Sequence, residues 1–122
     1  MIRVLWISRH DPTPEEIAYL ESLLGEIELL RYRRTIRQTH YLGTLLDNRK
    51  PGRVVATLPI DMQEVLVNEL KSRGLPPLIR PVYHHRNGAG VTNWEFKGYE
   101  ETIDAVITSR PLIKQEQEEN GH

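Results

Sequence analysis

The amino-acid sequence predicts an α/β fold, specifically a Rossmann-like, three-layer domain with a mostly parallel sheet and a C-terminal antiparallel β-hairpin. Through the first two-thirds of the chain, short β-branched runs alternate with amphipathic segments in the order β-α-β-α-β-α-β. This alternation is typical of parallel strands joined by right-handed crossovers. The 122 residues, 39% of them hydrophobic, suffice for one core. We therefore expect a single domain over residues 1–113 and a disordered polar tail over residues 114–122.

The first strand and the first helix have clear boundary residues. Residues 2–8 form a short apolar run that suits a strand buried on both faces. A helix follows from Thr13, which can cap free N–H groups, with Pro14 at its first position and Glu16 completing a capping box. Gly25 provides a C-terminal stop. The apolar face of this helix is predicted to comprise Ile17, Leu20, Leu23 and Leu24.

Two further strands enclose a weaker helical segment. Residues 27–32 predict the second strand, and residues 53–58 predict the third, which Pro59 ends. Between them, residues 35–46 predict a helix and residues 47–52 a polar loop. The candidate core positions of this helix are Ile36, Leu42, Leu45 and Leu46.

A third helix and a fourth strand complete the parallel part of the sheet. The helix is predicted to begin near Asp61, which lies at capping-box spacing from Glu64, and to end at Gly74. Its predicted buried face comprises Met62, Val65, Leu66 and Leu70. The fourth strand is predicted over residues 78–83. Because Pro81 has no N–H group for a strand partner, we expect an edge position or a bend there.

The last third of the chain has a different character. Residues 86–90 are rich in glycine and predict a flexible loop. Residues 92–97 and 103–109 predict two more strands, which we interpret as an antiparallel hairpin around Gly98.

Polar and basic side chains follow each predicted strand. Open α/β sheets bind ligands beyond the carboxyl ends of their strands, near the point where the strand order reverses. We expect this rim to be basic, and we interpret the nearby Asp11 and Asp61 as helix caps. One arginine side chain can donate two parallel hydrogen bonds to phosphate oxygens, and the free N–H groups at helix N-termini also attract anions. The rim therefore favours a phosphate-bearing ligand. The candidate ligand-binding residues are Ser8, Arg33, Arg34, Thr57, His84, His85 and Arg86.

These residues also have purely structural interpretations. Arg33 and Arg34 could be a solvated strand end, and His10 could bind backbone at the helix start. Tryptophan is more often a core residue than a ligand platform, which is the alternative for Trp6 and Trp94. Flat faces for nucleotide bases could come from Tyr32, Tyr83 and Trp94.

The composition argues against several functions. The chain has no cysteine, so it has neither disulfides nor thiolate metal ligands. His84 and His85 are adjacent on a strand and point to opposite faces, so we expect no metal site. The net charge of −1 argues against a surface for duplex DNA, and no apolar run approaches the roughly 20 residues that a bilayer span needs. We expect a cytoplasmic protein without a cofactor and without a membrane contact.

The start of the chain combines a strand, the triplet Ser8-Arg9-His10 and the helix opening Thr13-Pro14-Glu15-Glu16. Over about the first 25 residues, this arrangement resembles the small CRISPR-associated ring-nuclease-like proteins with a CARF-like (Rossmann-like) core. The resemblance implies binding of a cyclic oligoadenylate second messenger in antiviral defence, usually by a homodimer. For some members it also implies metal-independent cleavage of the ring.

Ring cleavage would need little machinery. The ribose 2′-hydroxyl can attack its own 3′-phosphate if the protein aligns the attack and stabilises the phosphoryl oxygens. On this hypothesis, the catalytic residues are His10, for acid or base work, and Arg9, for phosphate contact. The alternative is a non-enzymatic sponge or a protein-interaction module of phage or mobile-element origin. A conventional small-molecule enzyme on the same rim would lack a complete catalytic constellation.

Overall fold

The computed structural model describes residues 1–88, 91–104 and 108–112, and the side chains of these residues except 86–88, 91–93 and 108–110. The helices are α1 (Pro14–Leu24), α2 (Tyr41–Arg49) and α3 (Ile60–Ser72). The strands are β1 (Ile2–Ile7), β2 (Ile27–Tyr32), β3 (Arg53–Ala56), β4 (Leu78–Gly88), β5 (Val91–Asp104) and β6 (Thr108–Pro111). They form one six-stranded sheet in the order β2-β1-β3-β4-β5-β6.

The predicted fold class is confirmed. Strands β1 to β4 run parallel to their neighbours, whereas the β4–β5 and β5–β6 pairs are antiparallel. Along β1, Val4 and Trp6 face one side of the sheet and pack with Leu20 of α1. Leu5 and Ile7 face the other side, where α2 and α3 cover the sheet. This alternation buries both faces of the sheet, which gives the three layers. Among the described residues, no helix has the length and apolar character that crossing a membrane requires.

The strand order reverses between β1 and β3. The chain leaves β1 through α1 to reach β2 on one side, and then returns through α2 to β3 on the other side. The crevice beyond the carboxyl ends of these two strands is where this architecture usually binds ligands. Ser8 and Thr57 are the first residues past β1 and β3. The Thr57 N–H donates to the Ile7 carbonyl at 3.1 Å and the Ser8 N–H to the Tyr32 carbonyl at 3.2 Å, so both residues are held by the sheet itself.

The predicted boundaries of α1 are confirmed. The Thr13 hydroxyl accepts from the Glu16 N–H at 3.2 Å, and the Glu16 carboxylate accepts from the Thr13 N–H at 2.8 Å, so the capping box is complete. Pro14 is the first helical residue, and Gly25 ends the helix with a φ of 82°. Strand β2 also has its predicted bounds.

Helix α2 begins later than predicted, at Tyr41 instead of residue 35. The helical apolar spacing is carried by Leu42, Leu45 and Leu46, all of which are buried, whereas residues 35–40 supply only Ile36 to the core. With one apolar side chain to bury, that segment forms an irregular connection from β2.

Helix α3 begins at Ile60, and the predicted capping box of Asp61 with Glu64 is wrong. Pro59, with extended backbone, precedes the helix, which leaves Asp61 inside the first turn, where it cannot act as a cap. The buried positions differ in part from those predicted. Leu66 and Leu70 are buried, Met62 and Val65 are half-buried, and the remaining buried residues are Gln63 and Val67.

The C-terminal third differs most from the prediction. Strand β4 continues through the predicted loop to Gly88, and β5 is continuous through Gly98, so the predicted turn at Gly98 is wrong. Gly98 instead lies inside β5 with a φ of 119°, opposite Val82, where the register of the two strands shifts. A residue without a side chain absorbs this irregularity. Of the predicted loop, residues 89 and 90 lie outside the described residues, as does the predicted tail, residues 114–122.

Strand β4 is internal at Ile79, which pairs with Val55 of β3, but the described pairing with β3 does not reach Pro81. The predicted bend is present as the register shift between Val82 and Tyr83. In the described pairing, Pro81 lies past the β3 contact and faces Tyr99 of β5. Its missing N–H therefore costs no ladder bond. Residues 83–88 and 91–96, here called the ribbon, extend beyond the carboxyl end of β3.

Candidate functional site

A cleft of about 820 Å³ opens at the carboxyl end of β1, between the start of α1 and the ribbon. We call it the aromatic cleft, and its lining residues are Trp6, Ser8, His10, Asp11, Thr13, Glu16, Thr57, Tyr83 and Trp94. Next to it lies a smaller pocket of about 120 Å³, here called the basic pocket. Its lining residues are Ile7, Ser8, Arg9, Arg34, Thr35, Ile36, Thr57, Leu58, Pro59 and Met62. Ser8 and Thr57 line both spaces, so the two are neighbours across the strand ends at the reversal of strand order.

The two spaces differ in charge. Arg9 and Arg34, both exposed, line the basic pocket, which also adjoins the first turn of α3. The aromatic cleft has no arginine or lysine among its described lining residues, and its carboxylates are Asp11 and Glu16. A ligand that occupies both spaces would therefore place its anionic group beside Arg9 and Arg34 and an aromatic, uncharged group in the cleft.

The loop after β1 is held by its own hydrogen bonds. The Trp6 indole N–H donates to the His10 carbonyl at 3.0 Å, and the His10 N–H donates to the Ser8 hydroxyl oxygen at 3.2 Å. Trp6 is buried, as the core interpretation predicts, yet its edge reaches the cleft. The Ser8 hydroxyl accepts from His10, which leaves its own proton able to donate to a ligand. His10 is exposed and lines the cleft.

Glu16 links α1 to the ribbon. Its side chain is only 4% exposed, and its second carboxylate oxygen accepts a hydrogen bond from the Tyr83 hydroxyl. The Tyr99 hydroxyl donates to the backbone carbonyl of Glu16 at 2.9 Å. Burial, and then the hydrogen bond to Glu16, raise the pKa of Tyr83. Its phenol therefore keeps its proton throughout the physiological pH range.

Aromatic rings stiffen the wall of the cleft. Tyr83 packs beside Phe96 with ring centroids 5.9 Å apart, and Phe96 packs edge-on against Tyr19 of α1 at 5.7 Å. Further along the ribbon, Trp94 contacts the His85 ring at 5.0 Å. Trp94 is 68% exposed, so its alternative interpretation as a core residue is wrong. An exposed indole at the mouth of a cleft is a suitable surface for stacking a planar ligand.

The structure brings together most of the predicted site residues. The predicted residues that line the two neighbouring spaces follow three different strands and are Ser8, Arg9, His10, Arg34 and Thr57. Strand-end position was sufficient to find them. Sequence reasoning missed the part that Glu16 plays, because the capping box places its carboxylate at the helix start but says nothing of a tyrosine far along the chain.

Four other predicted site residues do not join this group, or do so only indirectly. Arg33 lies outside both linings and forms an ion pair with Asp11 at 3.3 Å, while Arg31 approaches the same carboxylate at 3.9 Å. The interpretation of Asp11 as a helix cap is therefore wrong, since Thr13 caps α1 and Asp11 neutralises part of the rim. His84 and His85 lie within β4 and not at its end. His85 reaches the site only through its contact with Trp94, and the side chain of Arg86 lies outside the described residues.

Two further observations bear on ligands. Tyr32 packs against Tyr41 at 6.1 Å in a third pocket of about 380 Å³ near the start of α2. This pocket shares Arg34 with the basic pocket but no residue with the aromatic cleft, so Tyr32 is not a platform in the cleft. Within the described part of the chain, no group of three or more histidine, aspartate or glutamate side chains is arranged to hold a metal ion.

The geometry of the two spaces is the basis for assigning a function. Comparisons with protein-family models, with curated proteins and with solved structures found no match to this chain.

Proposed function

We propose that this protein binds a phosphate-bearing adenine nucleotide across the aromatic cleft and the basic pocket, and that the ligand is a cyclic oligoadenylate second messenger. One observation carries the proposal. Ser8 and Thr57, at the reversal of strand order, lie between an aromatic space with no arginine or lysine among its described lining residues and a space lined by Arg9 and Arg34. A nucleotide has this same division, with a planar base joined through a ribose to an anion.

The contacts suit each part of such a ligand. Trp94 and Tyr83 offer faces for a base, and the two hydroxyls of Ser8 and Thr57 can donate to the ribose or to phosphate oxygens. Arg9 and Arg34 can bind the phosphate, for which guanidinium groups are well shaped. At about 120 Å³ the basic pocket is much smaller than the aromatic cleft, so in this proposal it takes a phosphate group while the other units of the ring lie over the open mouth of the cleft.

Ring cleavage forms the second part of the proposal. His10, exposed at the cleft, is the group that could accept the 2′-hydroxyl proton as the oxygen attacks the 3′-phosphate, and Arg9 could stabilise the charge on the phosphoryl oxygens. The bond from phosphorus to the 5′-oxygen then breaks, and that oxygen takes up a proton. The products are a linear strand with a 2′,3′-cyclic phosphate and a 5′-hydroxyl.

Calorimetry with cyclic tetra-adenylate and cyclic hexa-adenylate, in EDTA, tests binding, and chromatography of the same mixtures tests cleavage. Binding with linear products supports the ring nuclease, with the His10→Ala variant expected to bind but not cleave. Binding without products supports the sponge. If neither ring binds, the proposed function fails and the protein-interaction module takes its place.

Trp94→Ala is expected to weaken binding of cyclic tetra-adenylate about tenfold, the low end of what one stacked base contributes. Trp94 is exposed and its ring contacts only the ribbon neighbour His85 among the described rings, so the fold should be unaffected. Titration calorimetry measures the change. Tyr41→Ala is the matched control, since this tyrosine is also exposed but lines neither space, and it should bind as the parent does. Equal affinity of the parent and Trp94→Ala would remove the stacking platform from the proposal.

Two expectations accompany the proposal. The absence of cysteine fits a cytoplasmic location, where antiviral second messengers act. A homodimer is the commonest symmetric assembly and would suit a ligand with its own two-fold axis. Light scattering with and without cyclic tetra-adenylate measures the assembly directly.

A further inference from the structure

Glu16 and Tyr83 form a buried polar pair in the wall of the aromatic cleft. One carboxylate oxygen of Glu16 accepts from the Thr13 N–H at 2.8 Å, and the other accepts from the Tyr83 hydroxyl. A phenol holds its proton far more tightly than a carboxylic acid does, so the proton of this bond belongs to Tyr83 and points at Glu16. The donor capacity of the phenol is therefore already used.

What the phenol offers a ligand follows from this orientation. A tyrosine hydroxyl has one proton and two lone pairs. With the proton directed at Glu16, only the lone pairs of the Tyr83 oxygen face the cleft. Glu16 itself is likewise an acceptor, and the Trp6 N–H is already taken by the His10 carbonyl at 3.0 Å.

We propose that the Glu16–Tyr83 pair selects nucleobases that present an exocyclic amino group, such as adenine, against bases that present a carbonyl at the same position. This inference rests on the proposed function, since it assumes that a base occupies the cleft. An amino group would donate to the Tyr83 oxygen. A carbonyl in its place would set two acceptors against each other, and a polar site that cannot pair its ligand loses affinity.

The parent protein tests this without any substitution. Cyclic tetra-inosinate differs from cyclic tetra-adenylate in carrying a carbonyl in place of each exocyclic amino group and a proton on the adjacent ring nitrogen N1, and the two rings are compared by calorimetry. We expect the adenylate ring to bind at least about tenfold more tightly, since the site is partly open to water. Equal binding of both rings overturns the selection while the proposed function stands. If neither ring binds, the proposed function itself fails and this inference fails with it.

Glu16→Gln gives the sharper result. The Thr13 N–H requires an acceptor, so the amide oxygen of the new side chain faces Thr13 and its NH₂ group faces Tyr83. The amide then donates to the phenol, which releases the phenol proton toward the cleft. The preference for the adenylate ring should fall at least about tenfold and turn toward the inosinate ring. A variant that folds, as judged by circular dichroism, and keeps the parent's preference overturns the inference.

Tyr99→Phe is the matched control. The Tyr99 hydroxyl also bonds to Glu16, but to its backbone carbonyl, and Tyr99 is not among the residues that line the cleft. Its removal perturbs the packing near Glu16 and leaves the orientation of the Tyr83 proton unchanged. This variant should therefore keep the parent's ratio of affinities for the two rings. A loss of preference equal to that of Glu16→Gln would attribute the selection to packing, which overturns the inference.

Discussion

The double variant Arg9→Ala, Arg34→Ala is expected to bind cyclic tetra-adenylate about a hundredfold more weakly than the parent, because each arginine supplies a charge-assisted hydrogen bond to phosphate. Both side chains line the basic pocket and come from different strand ends, so neither can replace the other. The affinity of the parent should also fall as salt is raised, and that of the double variant much less, since fewer charges take part in binding. Calorimetry at low and at high salt measures both effects.

Arg33→Ala is the control for this prediction. Arg33 is a neighbour of Arg34 in sequence, carries the same charge and is also exposed, but it pairs with Asp11 and lies outside the basic pocket. Its loss should change the affinity by no more than about twofold, because exposed ion pairs contribute little. If Arg33→Ala weakens binding as much as the double variant, the ligand is held by the general charge of the rim and the basic pocket is not its site.

The parallel half of the fold could be predicted because its signals are local. The apolar runs of β1 and β3 are buried on both faces, so burial alone marks them, and the apolar residues of the edge strand β2 are half-buried. Thr13, Glu16 and Gly25 mark the ends of α1 through contacts within one or two turns. Helix α2 shows where this fails, because its predicted start lay in a segment with a single buried side chain, Ile36.

The ribbon could not be predicted in the same way. Residues 92–96 lie in a predicted strand, but residues 84–88 do not, and the exposed residues 83–85 show no alternation of buried and exposed side chains that would mark a continuing strand. The strand character of the ribbon comes from the pairing of its two segments with each other. Trp94 misleads for the same reason, because a tryptophan usually marks a core, whereas here it lies on the exposed part of a strand pair.

The candidate site also has a part that could be predicted from local signals and a part that could not. Ser8, Arg9, His10, Arg34 and Thr57 could be predicted because the topology alone brings strand ends together. The contact between Glu16 and Tyr83 joins residues 67 positions apart, and no local pattern relates a helix start to a residue of β4. The polarity of the aromatic cleft, and with it the distinction between base and phosphate spaces, therefore emerged only from the structure.

Glu16→Ala is expected to lower the free energy of unfolding by about 2–4 kcal/mol, because three interactions disappear together. The Thr13 N–H loses its capping partner, the Tyr83 hydroxyl loses its acceptor in a partly buried place, and a side chain that is 4% exposed leaves a gap between α1 and the ribbon. Urea unfolding followed by circular dichroism measures the loss.

Glu15→Ala separates this network from the ordinary effect of a carboxylate near a helix start. Glu15 lies in the same first turn of α1 but is exposed, so its removal should cost no more than about 0.5 kcal/mol. Hydrogen exchange shows which part of the sheet is destabilised. In the Glu16→Ala protein the amides of β4 beyond Val82 should exchange faster than in the parent, while those of β1 change only with global stability. If the Glu16→Ala and Glu15→Ala proteins have equal stability and equal exchange rates in β4, Glu16 does not hold the ribbon. The wall of the cleft would then depend on the aromatic contacts of Tyr83, Phe96 and Tyr19 alone.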